Sequence, residues 1–433
     1  MTTLKTTDHG PIPVVLVVAG CADERELEAD RTQEMINLLD TSGRRVVATA
    51  TQHLTKVAAG TYIGSGKVTE VKALMKEHEA EEVAFDVSLS PRQQRNLEEA
   101  LEATVLDYDE IILDIFARNA RTHQARLAVE LAQTQYMRGR LRRLWTHLDR
   151  QRAGGSAGGG SGFKTGTGEK QIEMDRRQVR QRIQDLQDEL HGIAQRTERK
   201  LQARSQAFNI ALVGYTNAGK STLMNALTGA GVLAENRLFA TLDTRTARLR
   251  VGDHRNIVLS DTVGFIRNLP HSLIASFHAT LSEVREADLL LHVVDCASPV
   301  MAEQIEAVER VLETIEAHEV PRITVFNKVD ACSSRTVIAA MRRRHKGSVV
   351  ASARTGEGLE ALREAISARV DATNATAEVR YSVTDGATDA WIRARAVIKE
   401  ERLTGETMVL TIAADEAILG ELNGRAEVRR SRR

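Results

Sequence analysis

The sequence predicts an α/β fold class: a doubly wound phosphate-loop (P-loop) domain, preceded by a small α/β domain with a long helical hairpin and followed by a small α+β domain. Three observations predict it. Short β-rich runs alternate with helical periodicity over residues 12–106 and again from Phe208 to about Val370. A proline-free helical stretch, broken by a glycine-rich segment, lies between these regions. The last ~60 residues return to β-rich runs around a helical segment. The expected boundaries are 1–108, 109–206 with a glycine-rich loop at 153–168, 207–372 and 373–433.

In the first region, Pro13–Ala19, Arg45–Thr51 and Glu82–Asp86 read as buried strands, and Glu24–Asp40, Lys67–Glu79 and Pro91–Leu101 as helices. From about Asp109 to Arg152, Leu127, Leu131, Leu141, Leu144 and Leu148 recur at helical spacing, so one long amphipathic helix is expected. Gly154–Gly168 breaks it and periodicity resumes from Glu169 to about Ser205, which reads as an antiparallel helical hairpin. In the last region, Glu378–Val383 and Thr407–Ala413 read as strands around a helix at Trp391–Glu401, with a basic tail.

Charge is unevenly spread. The formal net charge is zero, yet residues 115–152 hold nine arginines against two acids and residues 164–204 hold ten Lys or Arg against seven. The hairpin thus carries about +10, more than a solvated helix face requires, and suits a phosphate backbone. Arg138, Arg140, Arg142 and Arg143 beside Trp145 are the candidate RNA contacts. Hydrophobic content of 42% and charged content of 27% exclude wholesale disorder. Three scattered cysteines, Cys21, Cys296 and Cys332, give no disulfide framework or metal-ligand spacing, and fit a reducing cytoplasmic setting. No apolar run approaches the ~20 residues of a membrane span, and the N-terminus does not read as a signal peptide.

Four motifs carry chemistry. Gly214-Tyr215-Thr216-Asn217-Ala218-Gly219-Lys220-Ser221, followed by Thr222, has the spacing of a phosphate-binding loop between a strand and a helix. Lys220 would reach the β- and γ-phosphates, and the Ser221 hydroxyl would coordinate magnesium. Asp261-Thr262-Val263-Gly264 follows a strand at Ile257–Leu259; the carboxylate can hold magnesium through water, and the Gly264 N–H can sense the γ-phosphate. Asn327-Lys328-Val329-Asp330 follows Arg322–Phe326, and Asp330 can accept two hydrogen bonds from guanine but not from adenine. Ser352-Ala353-Arg354 follows Ser348–Val350 and could close over the base. Each motif ends a predicted strand, where such sheets bind ligands. GTP or GDP is therefore the expected ligand, with Lys220, Thr241 and Gly264 as catalytic candidates. Between the first two motifs, Thr241 is the choice for closing on magnesium and the γ-phosphate, with Thr244 and Thr246 as alternatives, and Phe239 joins the nucleotide-binding candidates. Phe265 stands where many GTPases place a water-orienting glutamine, so intrinsic hydrolysis should be slow.

The loop GYTNAGKSTL with LFATLD, DTVGFI and NKVD resembles the HflX family of translation-factor-related GTPases, in the Obg-HflX group. The likeness extends through TYIGSGKV (61–68), LDIFARNARTHQARLAVELAQTQY (113–136), RLRRLWTHL (140–148) and GTGEKQIEMDRR (166–177). The resemblance implies a cytoplasmic monomer that binds the large ribosomal subunit and ribosomal RNA and splits stalled ribosomes under stress. It also implies a potassium ion at Asn217, whose plainer reading is a brace for the loop. ATP binding by the N-terminal domain is a further implication; TYIGSGK, with Lys67, is either a phosphate cradle or a strand-to-helix turn. An ATP-driven RNA remodelling enzyme and a ribosome-assembly GTPase are the rival readings.

Overall fold

The computed structural model describes residues 10–21, 28–154, 166–202, 207–229, 238–239, 245–251, 254–268, 270, 273, 276–332, 335–373, 375–414 and 416–430. Within residues 141–173 only the helical backbone is described. The start of the first predicted helix at Glu24, most of the glycine-rich loop and the end of the basic tail lie outside these residues. Chain contacts divide into two units. The first is Met1–Gln195 with Glu235–Asp243 and Ile266–Thr280; the second is Arg196–Ala234, Thr244–Phe265 and Leu281–Arg433.

The first unit is built on a parallel sheet. β1 (Ile12–Cys21), α1 (Glu28–Thr41), β2 (Arg44–Leu54), α2 (Ser65–Glu77), β3 (Glu82–Phe85), α3 (Pro91–Leu101) and β4 (Thr104–Leu106) alternate, and the strands lie in the order β2-β1-β3-β4. Val14 to Val18 are almost wholly buried, as an unbroken β-branched and Leu run must be when helices cover both faces. α3 begins where Ser90 and Gln93 form a reciprocal capping box and Pro91 supplies a preset φ.

The long helix expected from Asp109 to Arg152 is two helices, α4 (Tyr108–Asn119) and α5 (His123–Gly154). Ala120 leaves the helix with extended backbone, and the Thr122 hydroxyl accepts the N–H of Ala125 to start α5. A threonine offers that local alternative to continuing the helix, which periodicity does not register. α6 (Gly166–Gln202) returns. His123 meets Glu189 at 2.8 Å and Arg182 meets Glu130 at 2.8 Å; seven residues forward on α5 are seven back on α6, as an antiparallel hairpin requires. Ile183, Leu186 and Leu190 form its buried stripe.

In the second unit β5 (Phe208–Gly214), α7 (Lys220–Thr228), β6 (Arg245–Val251), β7 (His254–Asp261), α8 (His278–Arg285), β8 (Leu289–Asp295), α9 (Met301–Thr314), β9 (Arg322–Asn327), α10 (Arg335–Arg344), β10 (Val349–Val350) and α11 (Leu359–Thr373) follow one another, the first residues of α8 falling in the other unit. The sheet order is β10-β9-β8-β5-β7-β6, parallel except that β6 pairs antiparallel with β7. That one reversed strand is the departure from an all-parallel sheet.

The C-terminal residues form a split β-α-β-β-α-β arrangement. β11 (Ala375–Ser382), α12 (Gly386–Arg395), β12 (Val397–Thr404), β13 (Thr407–Ala414), α13 (Glu416–Leu422) and β14 (Glu427–Arg430) give an antiparallel sheet in the order β12-β13-β11-β14. The helix expected over Trp391–Glu401 ends at Arg395, and Val397 onward is strand. Pairing with β13 overrides the helical propensity of the Lys, Glu and Arg in that edge strand.

Candidate functional site

β5, β7, β8 and β9 lie side by side, so the loops at their carboxyl ends gather at one edge of the sheet. The structure brings the four motifs into mutual contact there. The backbone of Tyr215 bridges that of Phe265: the Thr216 N–H donates to the Phe265 carbonyl (2.7 Å) and the Phe265 N–H to that of Gly214 (3.1 Å). The Ser221 hydroxyl donates to Asp261 Oδ2 at 2.5 Å. Thr262 is buried, its hydroxyl donating to the Leu212 carbonyl at 2.6 Å. Phe265 is 1% exposed, so its ring is interior filling.

Close approach excludes a side chain at Gly219 and at Gly264. Gly219 has φ +94°, and a Cβ there would stand 2.3 Å from Asn327 Nδ2. A Cβ on Gly264 would meet Thr216 Cα at 2.9 Å and Lys220 Nζ at 3.1 Å. Asn327 donates to the Ala218 carbonyl (2.9 Å) and accepts the N–H of Ala353 (3.0 Å), tying the first motif to the fourth.

Lys220 is folded onto its own loop, its ammonium donating to the carbonyls of Gly214 (3.1 Å) and Tyr215 (3.0 Å). Burial pushes its pKa down to about 8, while the charge of Asp261 pulls the other way. Such an ammonium gains from a phosphate, which replaces weak carbonyl partners with full negative charge. Asp330 accepts the Ser352 hydroxyl at 2.6 Å and pairs with Arg354; first the hydroxyl and then the guanidinium hold its carboxyl below the usual range. Lys328, at φ +63°, pairs with Asp295 at 2.7 Å. Asn217 is exposed at φ +60°.

Ser221 and Asp261 present a hydroxyl and a carboxylate to one point, the hard oxygen pair magnesium takes. Among the described residues there is no cluster of three or more His, Cys, Asp or Glu side chains that could hold a metal. Thr241 and Thr244 lie outside the described residues, and Thr246 sits in β6.

Two of the expected contact residues already hold partners within the fold. Phe239 is 2% exposed: its ring packs on Phe116 (centroids 4.7 Å apart), which also meets Phe277 at 5.4 Å, and its carbonyl accepts the amide of Asn119 at 3.1 Å. Its aromatic surface is spent on the core of the first unit. Arg140 is already paired. Its guanidinium bonds Asp107 (3.2 Å) and Glu110 (3.2 Å) and stacks over the Tyr136 ring at 4.1 Å. The same cluster shows burial, then the charge of Asp107, raising Asp109 to about 6. Sequence spacing did not reveal it because Asp107 and Arg140 meet only through the α4–α5 turn. Arg138 is exposed, and the side chains of Arg142, Arg143 and Trp145 lie outside the described residues. Lys67 pairs with Glu70 at 2.7 Å, and the TYIGSGK run forms the turn into α2.

The chain resembles known proteins along most of its length. Residues 29–117, 119–204 and 209–328 match, in turn, the families described as GTP-binding GTPase N-terminal, GTP-binding GTPase Middle Region and 50S ribosome-binding GTPase. The GTPase HflX of Magnetococcus marinus is 43% identical over 91% of this chain and 90% of its own. That of Escherichia coli (strain K12) is 42% identical over 84% of each. A GTP-binding protein of Sulfolobus solfataricus, solved with GDP, is 23% identical, spans 83% of this chain and 98% of its own, and has a TM-score of 0.43. No helix among the described residues is long and apolar enough to cross a membrane.

Proposed function

The chain belongs to the HflX family of GTPases, and we propose that it uses GTP to bind the large ribosomal subunit and to split or rescue stalled ribosomes under stress. One observation carries this reading: the same chain holds a nucleotide-motif cluster and a basic antiparallel hairpin on which Arg138, Arg177 and Arg180 are exposed. Met137 and Met174, both more than half exposed, flank these arginines and add apolar contact for unstacked bases. The match of residues 209–328 to a family described as 50S ribosome-binding supports the same partner.

When GTP enters, Lys220 exchanges its two carbonyls for phosphate oxygens, and Arg354 swings from Asp330 as the guanine edge takes that carboxylate. Ser221 and Asp261, with Thr241, would hold magnesium, which neutralises charge building on the phosphate oxygens. Phe265 offers no hydrogen bond to the attacking water, so ribosomal contact must supply its orientation. The segments after α7 and after Gly264 fall in the first unit, where Asn119 holds Phe239, the Tyr108 hydroxyl donates to the Arg267 carbonyl (2.8 Å) and Glu34 pairs with Arg267 (2.6 Å). GTP would order the Thr241 loop and the segment after Gly264, raising affinity for the ribosome.

Sedimentation of ribosomes with the chain and a non-hydrolysable GTP analogue tests this. Co-migration with the large subunit and loss of intact ribosomes are expected; neither appearing would sink the proposal. Alanine at Arg138, Arg177 and Arg180 together should weaken RNA binding and lower its salt slope by roughly 2–3. Potassium at Asn217 is tested by turnover in potassium against sodium at equal ionic strength, where equal rates reject it.

A further inference from the structure

Cys296 and Cys332 lie thirty-six positions apart in sequence yet pack against one buried cluster around Phe326. Cys296 directly follows β8, is 5% exposed and packs among Val294, Met301, Ile305, Phe326 and Ile338. Cys332 ends the short turn Val329–Ala331 and is half-buried at the edge of that cluster. Both are fastened to the segment that carries Asp330. The Cys296 N–H donates to the Asn327 carbonyl (3.0 Å), and the Cys332 N–H donates to the Val329 carbonyl (3.2 Å). The neighbouring Asp295 pairs with Lys328. The end of β8 therefore braces the Asn327–Asp330 loop through a backbone hydrogen bond, an ion pair and shared apolar packing.

We propose that Cys296 and Cys332 form an oxidisable dithiol that a peroxide closes into a disulfide, and that closure weakens guanine-nucleotide binding at Asp330. This rests on the reading of Asp330 as the guanine-recognising carboxylate. The peroxide meets Cys332 first, because Cys332 reaches solvent. Burial, with Cys332 alongside, pushes the Cys296 thiol up to about 12, so Cys296 is not the initiating nucleophile. Cys332 takes one oxygen from the peroxide to become a sulfenic acid, releasing water from hydrogen peroxide. Cys296 sulfur then attacks the Cys332 sulfur; the S–S bond forms as the S–O bond breaks, and the Cys296 proton leaves with the hydroxide as water. The two thiols together lose two electrons, which reduce the peroxide. Two thiols packed on one cluster must approach further to reach a bond of about 2.05 Å. Cys296 is locked in the core, so the turn holding Cys332 moves, two residues beyond Asp330.

The test uses the full chain carrying Cys21→Ala, so that only this pair remains. Hydrogen peroxide, blocking with N-ethylmaleimide and mass spectrometry should show a Cys296–Cys332 cross-linked peptide and a mass lower by two hydrogens. Fluorescent GDP should bind about tenfold more weakly after oxidation, recover with dithiothreitol, and bind unchanged in a peroxide-treated Cys332→Ala variant. Oxidation without the cross-link overturns the proposal, as does a cross-link that leaves GDP affinity within about twofold. Failure of the reduced chain to bind GDP would instead remove the guanine-site reading, and the mass spectrum alone would then decide whether the dithiol exists.

Discussion

Two carboxylates, Asp107 in the first unit and Asp330 in the second, are each held by an arginine and a hydroxyl, and the difference between them separates structure from site. Asp107 has no exposed side-chain surface. It accepts the Tyr136 hydroxyl (2.7 Å), the N–H groups of Leu89 (3.1 Å) and Glu110 (2.9 Å), and Arg140. Every partner is fixed by packing, so the group has no capacity left for a ligand. Asp330 is held by Ser352 and by Arg354, whose side chain is 77% exposed and can swing away at little cost. Lys220 repeats the pattern, since it rests on two backbone carbonyls rather than on an ion pair. Where charges are consumed by rigid neighbours the fold is stabilised; where they rest on exchangeable partners a ligand can take over.

The comparison can be broken most directly at Lys220. Lys220→Met should lower GTP turnover on the order of 10²–10³-fold while leaving the urea midpoint unchanged or higher, because a buried ammonium is removed. A large loss of stability would place Lys220 with the structural charges. Arg140→Met should do the reverse: about 3 kcal/mol of stability lost to the stranded Asp107 carboxylate, with turnover per folded molecule unchanged, read by urea unfolding alongside a GTPase assay. Asp330→Asn should cost roughly 2–3 kcal/mol of GTP affinity, since an amide cannot accept both guanine donors, and nucleotide titration checks this. Retained GTP affinity would remove Asp330 from the site.

His292 supplies the smallest effect and extends the contrast to a third buried basic group. It sits in β8 at 2% exposure; burial first, then the positive charges of Arg322, His345 and Lys220, push its pKa down to about 3. The unfolded chain takes up the proton near 6.5 whereas the folded chain resists it, so stability is complete above about pH 6.5 and falls as the pH drops toward 3. Between pH 7 and pH 5 the loss should be about 2 kcal/mol. His292→Val should flatten it, as urea midpoints at the two pH values would reveal.

Legibility followed sequence separation. Glycine-rich loops, helix caps and strand ends are local matters, so Gly214–Ser221, Asp261–Gly264, Asn327–Asp330 and Ser352–Arg354 stood out. The break at Ala120 did not, because one threonine cap outweighed an otherwise continuous periodicity. The strand at Val397–Thr404 looked helical because its Lys, Glu and Arg favour helices, and only pairing with β13 made it a strand. Arg140 looked like an RNA contact because charge density says nothing about which carboxylate lies across a turn.

By itself, then, the sequence determined the α/β class, the motif order and, through Asp330, guanine as the expected base. Those properties depend on residue type and short spacing, which the chain carries whatever its neighbours. The tertiary structure alone decided how the charges are spent. It buried Arg140 against Asp107 and seated Phe239 against Phe116. It also brought Ser221 to Asp261 and set Cys296 and Cys332 on one buried cluster. Each is a pairing of residues far apart in sequence, and desolvation with hydrogen-bond geometry selects such a partner only after the sheets have formed.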